Sequence, residues 1–169
     1  MTYKDLLSYQ MATIVYDLTD VFVGKYINPR SRTCDQMIQA ARSGKQNIVE
    51  GCSERTSKKS ELKLLGVARA SFKELLEDYE DYLRQHRLPL WSKNSTQSLV
   101  VRRLSYMSDK SYMTYMSYIE KPEPAANCLI CLTAQTGYLV DRQITKAEDD
   151  FARHGGYTEN LFKRRLRER

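Results

Sequence analysis

Residues 65–83, LGVARASFKELLEDYEDYL, set Leu65, Ala68, Phe72, Leu75, Tyr79 and Leu83 at alternating steps of three and four. Steps of this kind place all six on one stripe of an α-helix, because a turn takes about 3.6 residues. The remaining sides carry Lys73, Glu74, Glu77, Asp78, Glu80 and Asp81. A long helix that is apolar along one seam and charged elsewhere packs on other helices, which is the pattern of a bundle. Ser57 precedes the run as a suitable N-cap.

Upstream, Leu7, Met11, Ile14, Val15, Leu18 and Phe22 form a second stripe within a helix of about Tyr3 to Tyr26, closed by Asn28-Pro29. Between the two lies a helix from about Arg32 to Cys52, with Met37, Ile38, Ala41, Ile48, Val49 and Cys52 inward. Downstream, Pro89 and Trp91 break the periodicity, and residues 92–121 predict one or two short helices separated near Ser108-Asp109. Pro122 and Pro124 suit a first helical turn, and Leu129, Leu132, Leu139, Ile144, Ala147 and Phe151 carry a further long helix to Gly155-Gly156. A short basic helix of about Glu159 to Arg167 follows. No strand-like alternation occurs. The expected fold is all-α: an antiparallel four-helix bundle over residues 1–151, with a helical insertion at 88–121 and a basic C-terminal helix within 152–169.

The chain has 169 residues, the size of one domain. No apolar run approaches the roughly 18 residues of a membrane span, and the N-terminus lacks the apolar core of a secretory signal, so a cytoplasmic protein without membrane contact is expected. Cys34, Cys52, Cys128 and Cys131 are then expected as free thiols. Cys128 and Cys131 form a C-x-x-C, but no second Cys or His pair has matching spacing, and helical core is the better reading. His86 and His154 stand far from any partner in sequence. The Glu-x-x-His pairs of di-metal bundles are missing too, so neither catalysis nor a metal or cofactor is expected.

The stretch QAARSGKQNIVEG, residues 39–51, interrupts the second helix with Gly44, Lys45 and Asn47. A phosphate-binding loop would need a glycine five positions before Gly44 and Ser or Thr after Lys45; the chain has Gln39 and Gln46. Gly44 costs a helix about 1 kcal/mol against Ala, so close approach of a neighbouring helix, past Ala40, Ala41 and Ser43, is the expected reason for it. Asn47 and Glu50 share a face near the helix end, where they are expected to bond the start of the next helix or an arginine, Arg55 or Arg69. Gly51 falls where a C-cap is common.

This segment, followed by Arg55 and SELKLLGVARASFKEL at 60–75, resembles the four-helix-bundle family encoded in intervening sequences of bacterial 23S ribosomal RNA genes. The matching positions are Ala40, Ala41, Ser43, Asn47, Ile48, Val49, Glu50, Gly51, Arg55, Ala68, Ser71, Glu74 and Leu75. The match covers about residues 5–86. Gly44-Lys45, residues 87–121 and the Gly-Gly plus basic tail depart from the family's usual pattern. The tail DRQITKAEDDFARHGGYTENLFKRRLR is similar to a suffix segment found in a subset of these proteins. The resemblance implies a noncatalytic barrel-shaped homopentamer, with relatives that serve as accessory subunits of reverse transcriptases in diversity-generating retroelements.

Charge indicates where such a scaffold would meet RNA or DNA. Residues 152–169 hold Arg153, Lys163, Arg164, Arg165, Arg167 and Arg169 against Glu159 and Glu168, a net +4 of the chain's +6. Repeated around an oligomer, that patch becomes a basic rim, and phosphate affinity rises steeply with the number of contacts. Leu161, Phe162 and Leu166 are expected to dock the helix onto the bundle. Tyr106, Tyr112, Tyr115 and Tyr118, interleaved with Met107, Met113 and Met116 and close to Arg102, Arg103 and Lys110, could stack bases. Their three-residue spacing favours packing on the bundle or on a neighbouring subunit instead. The same sequence also fits a self-assembling structural bundle with no nucleic-acid role.

Overall fold

The computed structural model describes residues 2–54 and 57–168, and every regular element among them is helical. A 3-10 turn at Tyr3–Asp5 leads into α1 (Leu7–Tyr26), followed by α2 (Arg32–Ser53) and α3 (Lys58–Gln85). The insertion comprises α4 (Thr96–Leu104) and a 3-10 segment at Tyr112–Glu120. Two further helices, α5 (Pro122–His154) and α6 (Tyr157–Arg167), complete the described chain.

The four long helices touch in a closed cycle, α1 on α2, α2 on α3, α3 on α5 and α5 on α1. One buried apolar cluster fills the space they enclose, drawing Met11, Val15, Leu18 and Phe22 from α1, Met37, Ala41 and Ile48 from α2, Phe72, Leu75 and Tyr79 from α3, and Leu129, Leu132 and Val140 from α5. All six seam residues of α3 are buried, and Ser57 caps the helix by accepting from the Ser60 N–H at 3.1 Å. Phe22 packs edge-on against both Tyr79 and Tyr82. The Tyr79 hydroxyl is paired with Thr19 at 2.7 Å, so its polar end is satisfied inside the core.

Small residues decide how closely α2 meets α3. A methyl group on Gly44 would lie 2.5 Å from Cζ of the buried Phe72 ring, so the ring occupies the space that any other side chain would take. The close approach expected at Gly44 is thus present. Gly51 corrects the sequence expectation: α2 runs on to Ser53, and Gly51 is a buried residue inside the helix, with Leu65 in contact where its Cβ would stand. An added Cβ would stand 3.4 Å from Leu65, an ordinary contact, so neither a cap nor the packing requires glycine at this position.

The insertion divides as expected on either side of Ser108-Asp109, but its second half is 3-10 rather than α. With three residues per turn, Tyr112, Tyr115 and Tyr118 fall on one side of the segment. Tyr115 and Ile119 are buried against the core, and the segment contacts α1 and α5. Asn127 of α5 ties down the start of the insertion: its side chain accepts from the Trp91 N–H at 2.7 Å and donates to the Pro89 carbonyl at 2.9 Å. No helix of the described residues is long and apolar enough to cross a membrane.

Candidate functional site

The site begins where α5 stops. Gly155 has φ +70°, a left-handed conformation that favours glycine, and its N–H bonds the Phe151 carbonyl at 2.9 Å. Gly156 starts the next helix, and Glu159 accepts its N–H at 3.2 Å, which is why α6 begins at Tyr157, two residues earlier than the sequence indicates. Two glycines are thus the whole link between the α5 and α6 helices.

On α6 the roughly 3.6-residue turn groups Lys163, Arg164 and Arg167 on one side and Leu161, Phe162 and Leu166 on the other. Arg165 falls among the apolar three. The structure therefore brings together three of the four tail residues expected to form the basic patch, and separates Arg165 from them. Arg164 pairs with Glu168 at 3.4 Å, fully at the surface; Lys163, Arg165 and Arg167 form no ion pair with any described residue. Arg153 is exposed on the last turn of α5, and Arg169 lies outside the described residues.

The expected docking of α6 onto its own chain is not found. Leu161 is 44% exposed, Phe162 62% and Leu166 54%, and no residue of α6 is buried. The apolar side of α6 therefore stays largely open among the described residues.

Asn47, Glu50 and Arg69 do not form the joint network expected of them. Asn47 Nδ2 donates to the Ser43 carbonyl at 2.9 Å, and Ser43 Oγ pairs with Ser71 Oγ at 2.9 Å, so the link to α3 is made by two serines. Glu50 is exposed and bonds no described residue, because it faces solvent rather than the α2–α3 seam. Arg69 reaches α5 instead, pairing with Asp141 at 3.2 Å. Arg55 lies outside the described residues. Lys45 is placed over the Tyr16 ring at 5.1 Å, a contact between α2 and α1.

In the tyrosine and methionine stretch, Tyr106, Met107, Tyr112 and Met113 are exposed, as is Arg103. Tyr115 is buried, Arg102 is tied to the Lys93 and Ser98 carbonyls, and Lys110 donates to Gln10 at 3.2 Å and to the Met107 carbonyl at 3.3 Å. Cys128 is buried in α5, and burial pushes its thiol well above the ordinary range, so it is held neutral; all four cysteines are free. Among the described residues no cluster of His, Cys, Asp or Glu could hold a metal ion.

Opposite in charge to α6 is the outer end of α3, with Glu74, Glu77, Glu80 and Asp81 around Asp78. Burial, reinforced by Glu74 and Asp81, pushes the Asp78 carboxyl up to about 6, and its Oδ2 is buried without a described hydrogen-bond partner. A groove of about 640 Å³ between α3 and α5 is lined by Gly66, Ala70, Ala134, Gly137 and Tyr138 together with the charged Arg69, Lys73 and Asp141. A Cβ added at Gly66 or Gly137 would meet nothing within 4 Å. The sequence signal for this groove is the pairing of small residues at 66 and 70 and at 134 and 137, one turn apart on each helix.

The described residues form an all-helical fold that ends in an exposed amphipathic basic helix. Comparison with protein-family models, curated proteins and solved structures gives no match.

Proposed function

We propose that the chain is a four-helix bundle that assembles into a homo-oligomer, most simply a pentamer, and acts as a noncatalytic adaptor binding RNA or DNA through a basic rim. The observation that carries this reading is α6, which presents Lys163, Arg164 and Arg167 on one exposed face, with an unpartnered apolar face behind them. A short helix of 11 residues is marginal alone in water, so a partner that holds it also fixes where its cations point. The resemblance to the 23S rRNA intervening-sequence bundles supports a scaffold, and the accessory role of relatives suggests a reverse transcriptase as the protein partner.

A pentamer offering two phosphate contacts per subunit would neutralise about ten charges, and affinity should fall by several powers of ten between about 50 and 200 mM salt. The test is a salt titration of RNA and DNA binding for the native chain and for a triple variant, Lys163→Gln, Arg164→Gln and Arg167→Gln. A steep slope in the native chain that flattens in the variant supports the adaptor. Equal affinities and equal slopes would leave a self-assembling structural bundle with no nucleic-acid role.

A further inference from the structure

The tyrosine and methionine stretch lies outside the α6 rim. We propose that it forms a second nucleic-acid surface, on which unpaired bases of a single strand stack against Tyr106 and Tyr112 while Arg103 and Lys93 meet its phosphates. The inference goes beyond the basic rim, since it rests on other residues and on stacking as well as charge.

Two kinds of tyrosine occur in the insertion. Tyr115 is buried in the core and Tyr118 packs edge-on against Trp91, with 6.5 Å between ring centres, so both hold the insertion to the bundle. Tyr106 is 75% exposed and Tyr112 is exposed as well, and neither belongs to the core cluster or to the residues packed on it. Neither hydroxyl bonds a described residue.

The segment that carries these two rings is fixed at both ends. Ser105, which closes α4, is buried and accepts from Gln135 Nε2 of α5 at 2.6 Å. Lys110 donates to Gln10 of α1 and back to the Met107 carbonyl, and Ser111 Oγ accepts from the Met113 N–H at 3.2 Å. Exposed rings on an anchored turn have less freedom to lose when a base covers them, which favours binding.

Charge selects the occupant. Residues 88–119 carry Lys93, Arg102, Arg103 and Lys110 against Asp109 alone, a net +3. Arg102 is held by the Lys93 and Ser98 carbonyls, which brings Lys93 to α4. Arg103 is exposed three residues before Tyr106, and neither it nor Lys93 pairs with a described carboxylate. A polyanion with flat apolar faces answers both features, and nucleic acid is such a chain. A second copy placed symmetrically on this surface would instead set like charges against each other. A duplex keeps its base faces inside the stack, so a single strand is the form that fits. Stacking reads no base edge, and binding should therefore tolerate many sequences.

The test is fluorescence anisotropy of labelled oligo(dT) and oligo(U) of about 20 nucleotides, longer than one such site, and of a duplex of equal length. A full-length Tyr106→Ala, Tyr112→Ala variant should bind single strands at least about tenfold more weakly than the native chain, whereas Tyr106→Phe, Tyr112→Phe should keep native affinity because the rings are retained. Circular dichroism melts establish that both variants fold, and duplex binding should be the same for all three proteins. The gap between the Ala and Phe variants should persist when Lys163→Gln, Arg164→Gln and Arg167→Gln are added, so failure of the α6 rim is told apart from failure of this surface. Equal single-strand affinities for the Ala variant and the native chain would overturn the proposal. An Ala variant that loses the native mass in native mass spectrometry would also overturn it, by making the surface an interface between copies. So would one whose sole deficit is in sedimenting with anionic vesicles.

Discussion

Small residues stand at two helix pairings in this molecule, with opposite results. Between α2 and α3, Gly44 admits the Phe72 ring, and the helices close on each other. Between α3 and α5, Gly66 and Gly137 admit nothing, and a groove stays open. A missing side chain therefore means a filled space in one place and a vacant one in the other. The first contributes stability within the chain, and the second leaves room for something outside it.

Adding a side chain at a glycine gives the largest contrast. Gly44→Val would drive two methyl groups into the Phe72 ring and should destabilise the fold by about 1–3 kcal/mol despite the better helix propensity. Gly137→Ala meets no atom and should stabilise the monomer by about 0.5–1 kcal/mol. Urea melts of the two variants check both signs; loss of stability at Gly137 would mean that its surroundings are closed.

Asp78 sharpens the contrast through pH. Its carboxyl is raised above the ordinary value, so the folded state holds a proton that the unfolded chain releases, and stability from this residue is present at pH 4 and lost as pH rises to about 6. Asp78→Asn should thus raise stability at pH 7, by about 1 kcal/mol after allowance for the partial exposure of the group, and leave it nearly unchanged at pH 4. Equal melting shifts at both pH values would contradict the assignment.

The smallest effects separate Asn47 from Glu50. Asn47→Ala removes bonds to Ser43 and should cost about 1 kcal/mol, whereas exposed Glu50→Ala should stay within about 0.5 kcal/mol of the native chain. Thermal melts decide it, and equal losses would restore a shared network.

The α3 seam was legible because one residue in three or four reports its own burial, and the break at Pro89 and Trp91 because proline ends a helix by sterics. Partners were not legible. Periodicity says that Leu161, Phe162 and Leu166 need a neighbour, but not where it lies, and in the structure all three stay exposed. The same limit applies to Arg69, whose spacing fits α2 as well as α5, and to Gly51, which lies inside a helix that continues to Ser53. Asn127 anchors the insertion through backbone groups 36 and 38 residues away, a relation with no local trace.

The central claim, that α6 works between chains rather than within one, is tested most directly by the native mass of the protein with and without residues 157–169. The full chain should form a closed oligomer, and the shortened chain should be a monomer with an unchanged melting temperature at low concentration, since no residue of α6 is buried. Identical masses for the two would contradict the account.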